Sequence, residues 1–303
     1  MFEIYCDESR PELIYSTNKS TTNPNEKYMV IGGIWIDSIE RKKIKNLDSK
    51  SEYIVSLTSY GERLKTVWLS IQSIFDQNCK LAKVVLWVAH KDKNLINSKL
   101  RELEKNGLTI AFCEDVLSYK KMIYASKYYN NFHIITVDDD IIYPQNCLKK
   151  LISLHKKYPN CICCYRAHEI CFKEENILEY KKWKFHSPGI KGPTAKILAT
   201  GVGGVLYPSG TFNFEDFDLN VIKNVAPYTD DIYFKWIELN KGIDVVKVYK
   251  NKRTLLYYIE NTQENSLKML NIVSGNNNDL AISKLEKYFN STFYEKIQKG
   301  NIL

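Results

Sequence analysis

Between residues 51 and 140 the chain alternates short apolar runs with stretches whose apolar positions recur at helical spacing. "EYIVSLTSY" reads as a strand ending in a polar turn at Thr58–Gly61. "ERLKTVWLSIQSIFDQ" then carries Leu64, Val67, Trp68, Ile71, Ile74 and Phe75 along one helical stripe. "KVVLWVA" predicts a second strand, and "LINSKLRELEKNG" a helix closed by Gly107. "LTIAFCED" predicts a third strand. "SYKKMIYASKYYNN" predicts a helix with Ser118 as N-cap. "FHIITVDDD" predicts a fourth strand, with Asp138, Asp139 and Asp140 at its C-terminal end.

The rhythm continues with a helix in "QNCLKKLISLHKKY" and a strand in "CICCYRAHEI", followed by a loop-rich aromatic stretch. "AKILATGVGGVLYPSG" predicts a strand or bulged hairpin, its glycines keeping side chains out of a close approach. "TDDIYFKWIELNKG" predicts a helix with Thr229 as N-cap and Asp230 and Asp231 in its first turn, and "IDVVKVY" a last strand. Residues 1–50 break this rhythm: "FEIYCDES" and "KYMVIGGIWID" read as two strands on either side of a polar loop. The predicted organisation is an N-terminal extension over 1–50, a main domain over 51–260 and a polar, partly helical tail over 261–303.

Near-continuous apolar strands alternating with helices predict an α/β fold, a mostly parallel sheet flanked by helices on both faces, with a short N-terminal β-hairpin extension. Ligands of such sheets bind at the carboxyl ends of the strands. The aspartate triplet lies at such an end. Three adjacent carboxylates repel one another, and each must be hydrated, paired or bound to a cation.

Composition narrows the partners. With 303 residues, 44% hydrophobic and 26% charged, the chain can bury a sizeable core. A net charge of +8 favours anionic partners, but no block of basic residues marks a nucleic-acid stripe. No apolar run reaches bilayer length, and the N-terminus lacks the order of a signal peptide, so the expected location is the cytoplasm. The eight cysteines then read as reduced thiols. Four crowd into "CICCYRAHEIC" around His168, but strand alternation would split them between faces, which favours small buried hydrophobes over a zinc site.

A D-x-D arrangement suits a divalent cation with hard oxygen ligands, one that keeps coordination positions for substrate phosphates. The alternative is a solvated acidic turn. Asp230 and Asp231 fit either simple helix capping or a general base, since the helix N-terminus stabilises a carboxylate anion there.

In the order in which they occur, "IVSLTSYGERLKTVWLSIQSIF", "KVVLWVA", "EDVLSYKKMIYA", "IITVDDDIIYP", "YRAHEI", "TGVGGVLYP" and "APYTDDIYFKW" resemble a family of bacterial glycosyltransferases with the GT-A, Rossmann-like fold, which act in lipopolysaccharide, lipooligosaccharide or capsule assembly. The family usually has prolines in its first turn, where this chain has Ser59-Tyr60-Gly61-Glu62-Arg63. The resemblance implies that Asp138 and Asp140 hold Mn2+ or Mg2+ against the diphosphate of a nucleotide-sugar donor, a UDP-sugar being expected, with Asp139 near the ribose or metal. It places Thr58, Tyr60 and Arg63 along the nucleotide. Lys120 and Lys121 would face phosphates or donor sugar, the alternative being a solvated helix face. Gly201, Gly203 and Gly204 would let a sugar approach the backbone. Asp231 would be the catalytic base, with Asp230 as its substitute, in a transfer that inverts the anomeric centre. The acceptor would be a glycan or lipid-linked glycan, with no nucleic acid involved.

The opening "IYCDES", followed by "YMVIGGIWI", resembles the first strands of an uncharacterised RNase H-like family, and only that hairpin is present. Asp7 and Glu8 therefore read as a relic of fusion. A nucleic-acid-processing protein and an inactive sugar-binding paralogue are the competing functions. In the tail, Lys284, Lys287, Tyr288, Phe289, Phe293 and Tyr294 fit peripheral contact with an anionic membrane, and equally an amphipathic helix packed on the domain.

Overall fold

The computed structural model describes residues 28–31, 34–37, 47–249, 256–259, 262 and 276–300. The chain divides into two compact units, Met1–Lys43 and Ile44–Leu303. In the first, β1 (Tyr28–Ile31) and β2 (Ile34–Asp37) pair antiparallel, with Ile31 opposite Ile34. The apolar run read as one strand is thus two, and the Gly32-Gly33 pair between them in the sequence is the usual signal for a hairpin connection. Asp7 and Glu8 lie outside the described residues.

The second unit opens with β3 (Tyr53–Thr58), a 3-10 turn over Gly61–Lys65 and α1 (Val67–Phe75). Next come β4 (Lys83–Ala89), α2 (Ser98–Lys105), β5 (Leu108–Cys113), α3 (Lys120–Tyr129) and β6 (His133–Thr136). The short β7 (Ile141–Ile142) leads to α4 (Cys147–Lys157), β8 (Ile162–Glu169) and a small ribbon of β9 (Phe172–Lys173) and β10 (Asn176–Ile177). Then follow β11 (Ile197–Tyr207), α5 (Asp230–Asn240), β12 (Val245–Lys247), β13 (Tyr257–Tyr258), α6 (Asn277–Phe289) and α7 (Phe293–Gly300).

Seven strands form one sheet in the order β12-β8-β11-β6-β3-β4-β5. Strands β3 to β6 are mutually parallel, as the alternating pattern predicts, and β12 runs parallel to β8. Strand β11 enters antiparallel between β6 and β8, and its register shifts between Thr200 and Val205. The glycine-rich run is therefore one long bulged strand, which brings β8 to the same end of the sheet as β6.

The sheet has a core on each face. Ile54 packs on one side with α3 and α5, while Val55 and Leu57 pack on the other with α1, α2 and α4. Cys163 and Cys164 fall into opposite cores, as alternation along β8 requires. The described cysteines are free thiols, and no three His, Cys, Asp or Glu side chains gather as a metal centre among the described residues.

Two expected caps are not made. Ser118 Oγ and Thr229 Oγ1 are buried without a hydrogen bond, although Thr229 occupies the N-cap position of α5. Near Ser118, Asp115 takes the role instead, accepting from the Leu117 amide at 3.1 Å. The tail packs on α5: Trp236 stacks on Phe289 at 5.0–5.3 Å from that ring and from Phe293, which is fully buried. Phe293 thus belongs to the core and leaves the set of residues offered to a membrane. No helix among the described residues is long and apolar enough to cross one.

Candidate functional site

The ends of β3 and β6 place Ser59, Arg63 and the aspartate triplet together. Asp139 points inward, accepting from Ser59 Oγ at 2.6 Å and from the Arg63 guanidinium. Burial pushes its carboxyl up to about 6, against the opposing pull of Arg63. The second guanidinium nitrogen of Arg63 donates to Asp140 Oδ2 at 2.9 Å and to the Thr262 carbonyl at 2.8 Å. The Asp140 carbonyl in turn accepts from the Ile259 amide at 2.8 Å, and β13 pairs with β7. The segment returning from β12 is thereby tied across the acidic turn.

Asp138 is the most open of the three, with 23% of its side chain exposed against 6% for Asp139 and 12% for Asp140. Its amide donates to the Tyr143 hydroxyl at 2.8 Å, which fixes the turn. Its Oδ1 receives Lys121 Nζ at 3.1 Å, and the same ammonium lies 3.5 Å from Asp230 Oδ2. Lys121 is buried, and its backbone carbonyl is held by Ser56 Oγ. Burial opposes its charge, but Asp138, Asp230 and Asp231 outweigh it and hold its pKa raised.

Helix α5 delivers the second acidic pair. Asp231 Oδ2 accepts from the Gly201 amide at 3.3 Å, while Asp230 Oδ2 has no hydrogen bond. Burial and then the Asp230 charge raise the Asp231 pKa. A Cβ on Gly201 would stand 3.1 Å from both Asp138 Oδ1 and Lys121 Nζ, so the bare backbone there is what lets β11 approach the ion pair. One bulge therefore connects both carboxylate sites.

The remaining residues singled out from the sequence are placed as follows. Thr58 Oγ1 donates to the Trp87 carbonyl at 2.8 Å. Tyr60 is 46% exposed, with the Arg63 guanidinium 5.8 Å from its ring centre. The two lysines separate: Lys121 enters the acidic cluster, whereas buried Lys120 donates to Asp115 at 2.6 Å, outside that cluster. Gly203 and Gly204 have φ of +90° and +94°, and their Cα atoms face Tyr165 and Leu151, so both shape the bulge.

Four contributors carried no signal of their own in the sequence reading: Ser59, Arg166, Tyr258 and Thr262. Arg166 was visible only inside "YRAHEI". On β8 it lies opposite Thr200 and donates through Nε to Thr200 Oγ1 at 2.7 Å. Tyr258, 45% exposed, lies close enough to feel the charges of Arg166, Asp140 and Asp138.

Among the described residues, five carboxylates, Asp138, Asp139, Asp140, Asp230 and Asp231, thus stand against three cations, Arg63, Lys121 and Arg166. Asp138 offers a hard oxygen at the open side of the turn, Asp140 lies beside it against the Arg63 guanidinium, and buried Asp230 stands behind Lys121, its Oδ2 3.5 Å from that ammonium. Two carboxylates with positions left for substrate phosphate oxygens are the usual protein share of a Mg2+ or Mn2+ site, so the donor set fits such an ion.

No protein-family model and no curated protein matches the chain. Among solved structures it is similar to a mannosyltransferase from Pyrobaculum calidifontis in complex with GDP-mannose and Mn2+, at 12% identity over 68% of this chain and a TM-score of 0.42. The chain spans 58% of that enzyme's length. It is also similar to a CMP:2-keto-3-deoxy-manno-octonic acid synthetase complexed with CTP, at 9% identity over 65% of this chain and 89% of that one, with a TM-score of 0.40. Likenesses at this level describe the layout of sheet and helices alone.

Proposed function

We propose that the protein is a metal-dependent glycosyltransferase that moves a sugar from a nucleotide-sugar donor, a UDP-sugar first among them, to a surface-glycan or lipid-linked glycan acceptor. The observation that carries this reading is the excess of carboxylates over cations among the described residues at the carboxyl ends of β3 and β6, where Asp138 is partly open, Asp140 lies beside it and Lys121 faces Asp138. Asp138 and Asp140 would hold Mn2+ or Mg2+, which neutralises the developing charge of a diphosphate leaving group.

The chain's own residues supply the rest. Arg63 and Ser59 lock Asp139 and keep the turn in one geometry. Lys121 places a buried positive charge against Asp138, at the edge where the leaving group gains charge. The acceptor hydroxyl oxygen bonds to the anomeric carbon as the bond from that carbon to the diphosphate oxygen breaks. The hydroxyl proton passes to Asp231, whose raised pKa matches a base working near neutrality. A single displacement of this kind inverts the anomeric centre.

The test is isothermal titration with UDP, GDP and CMP in the presence and absence of Mn2+. Metal-dependent binding lost in Asp138→Ala and Asp140→Ala is the expected result. Metal-independent binding, or no binding of any of them, overturns the reading.

A further inference from the structure

Two of the three cations of the site are answered by carboxylates: Arg63 by Asp139 and Asp140, and Lys121 by Asp138 and Asp230. Arg166 is not. Among the described residues its side chain donates to one neutral hydroxyl, Thr200 Oγ1 at 2.7 Å. It is only partly exposed, so it has given up some of its hydration without gaining an anion in return. A half-desolvated guanidinium with its Nε anchored presents its remaining N–H groups in a fixed fork, the geometry suited to a carboxylate or phosphate.

Its position selects which anion. Strand β11 separates Arg166 on β8 from the aspartate triplet after β6, and Thr200, the partner of Arg166, is followed by Gly201, whose amide holds Asp231. Buried Tyr180 lies close enough to sense both the Asp231 and the Arg166 charges. Arg166 therefore belongs to the side of the site where the proposed base receives the acceptor hydroxyl. His168, two residues along β8, is buried and accepts from the His186 amide at 3.0 Å, so it supplies no negative charge there.

We propose that Arg166 binds an anionic substituent, a carboxylate or a phosphate, on the acceptor, so that acidic glycans are the acceptor class. This rests on the transferase reading given above. Thr200 orients the guanidinium, and an acidic sugar bound there offsets a charge that no carboxylate among the described residues answers.

The experiment compares transfer to paired acceptors, each neutral methyl glycoside beside its uronic acid and its phosphorylated form, in the wild type, Arg166→Met and Arg166→Lys. The donor is the nucleotide sugar whose diphosphate the titration selects. The wild type is expected to favour acidic members in kcat/KM by about tenfold or more, the range of a charge-assisted bidentate contact. Arg166→Met is expected to remove that preference while nucleoside diphosphate affinity, measured by titration, stays within about twofold. Arg166→Lys keeps the charge but not the fork, and should retain part of the preference. A wild type that uses neutral acceptors as well as acidic ones overturns the inference. So does an Arg166→Met variant that loses nucleoside diphosphate affinity and serves both acceptor classes equally poorly, since the anion would then be the donor's own diphosphate. Both of those outcomes leave the transferase reading standing; failure of metal-dependent nucleotide binding in the wild type removes the two together.

Discussion

Lys121 Nζ lies 3.1 Å from Asp138 Oδ1, a contact between a residue of α3 and the end of β6 that is buried on the lysine's side. The same ammonium neutralises Asp230 from α5. Among the described residues, Lys121 is the cation that faces both the triplet and the Asp230–Asp231 pair, and Lys121→Met removes it. The substitution is expected to destabilise the fold by about 3 kcal/mol or more at pH 8, because buried carboxylates are left uncompensated. The loss should shrink at pH 5, where Asp231, whose pKa burial raises, takes up a proton. Urea denaturation at the two pH values checks it, and equal losses at both would show that the charge is not what Lys121 contributes.

Two glycines in one strand should respond differently. Gly201 needs no left-handed backbone, and an added Cβ meets only the far ends of Asp138 and Lys121, each at 3.1 Å. Gly201→Ala should therefore weaken metal-dependent nucleotide binding while changing stability by about 1 kcal/mol or less. Gly203 has φ +90°, and its added Cβ would stand 2.8 Å from Tyr165 Cβ. Gly203→Ala should destabilise by about 2 to 4 kcal/mol from strain and overpacking together. Thermal melts and nucleotide titrations on both variants separate the two roles.

Arg63 acts through its shape as well as its charge. It reaches Asp139, Asp140 and the Thr262 carbonyl at once, which a single ammonium cannot do. Arg63→Lys is expected to destabilise by about 1 to 3 kcal/mol despite conserving charge. Faster proteolysis near residue 262 at unchanged global melting temperature would instead mean that Arg63 secures only the returning segment.

The Asp231 carboxyl must be ionised to accept a proton, and burial with the adjacent Asp230 raises its pKa. Transfer should accordingly rise with pH to a plateau and not fall across the neutral range on account of this group. Asp231→Asn should lower kcat by a factor of about 100 or more and leave nucleotide affinity unchanged. A pH–rate profile of kcat/KM in wild type and variant provides the comparison.

His168 is buried against Tyr180 and Phe185, with Arg166, His186 and Lys247 as its charged neighbours, and burial followed by Arg166 pushes its pKa down to about 3. A depressed histidine contributes stability that is complete above its unfolded pKa of about 6.5 and is lost as pH falls toward the folded value. The full contribution is about 5 kcal/mol. His168→Asn should flatten the decline in stability between pH 6.5 and 3, as read from denaturant midpoints.

Periodicity determined the alternating elements from β3 to α5, because strands buried on both faces and helices buried on one leave different apolar spacings in the chain. It also located the aspartate triplet, since polar residues ending an apolar run mark a strand's carboxyl end. The tertiary structure alone decided that β11 runs antiparallel between β6 and β8, and that its bulge brings Gly201 against both Asp138 and Asp231. Adjacent Lys120 and Lys121 look alike in sequence, yet one faces Asp115 and the other the triplet, because the start of α3 turns their side chains to different neighbours. Arg166, Tyr258 and Thr262 lie 26 to 124 residues from Asp138–Asp140 along the chain. Local propensity fixes which residues form an element; which charges meet across the sheet depends on strand order and register, and neither leaves a local pattern to read.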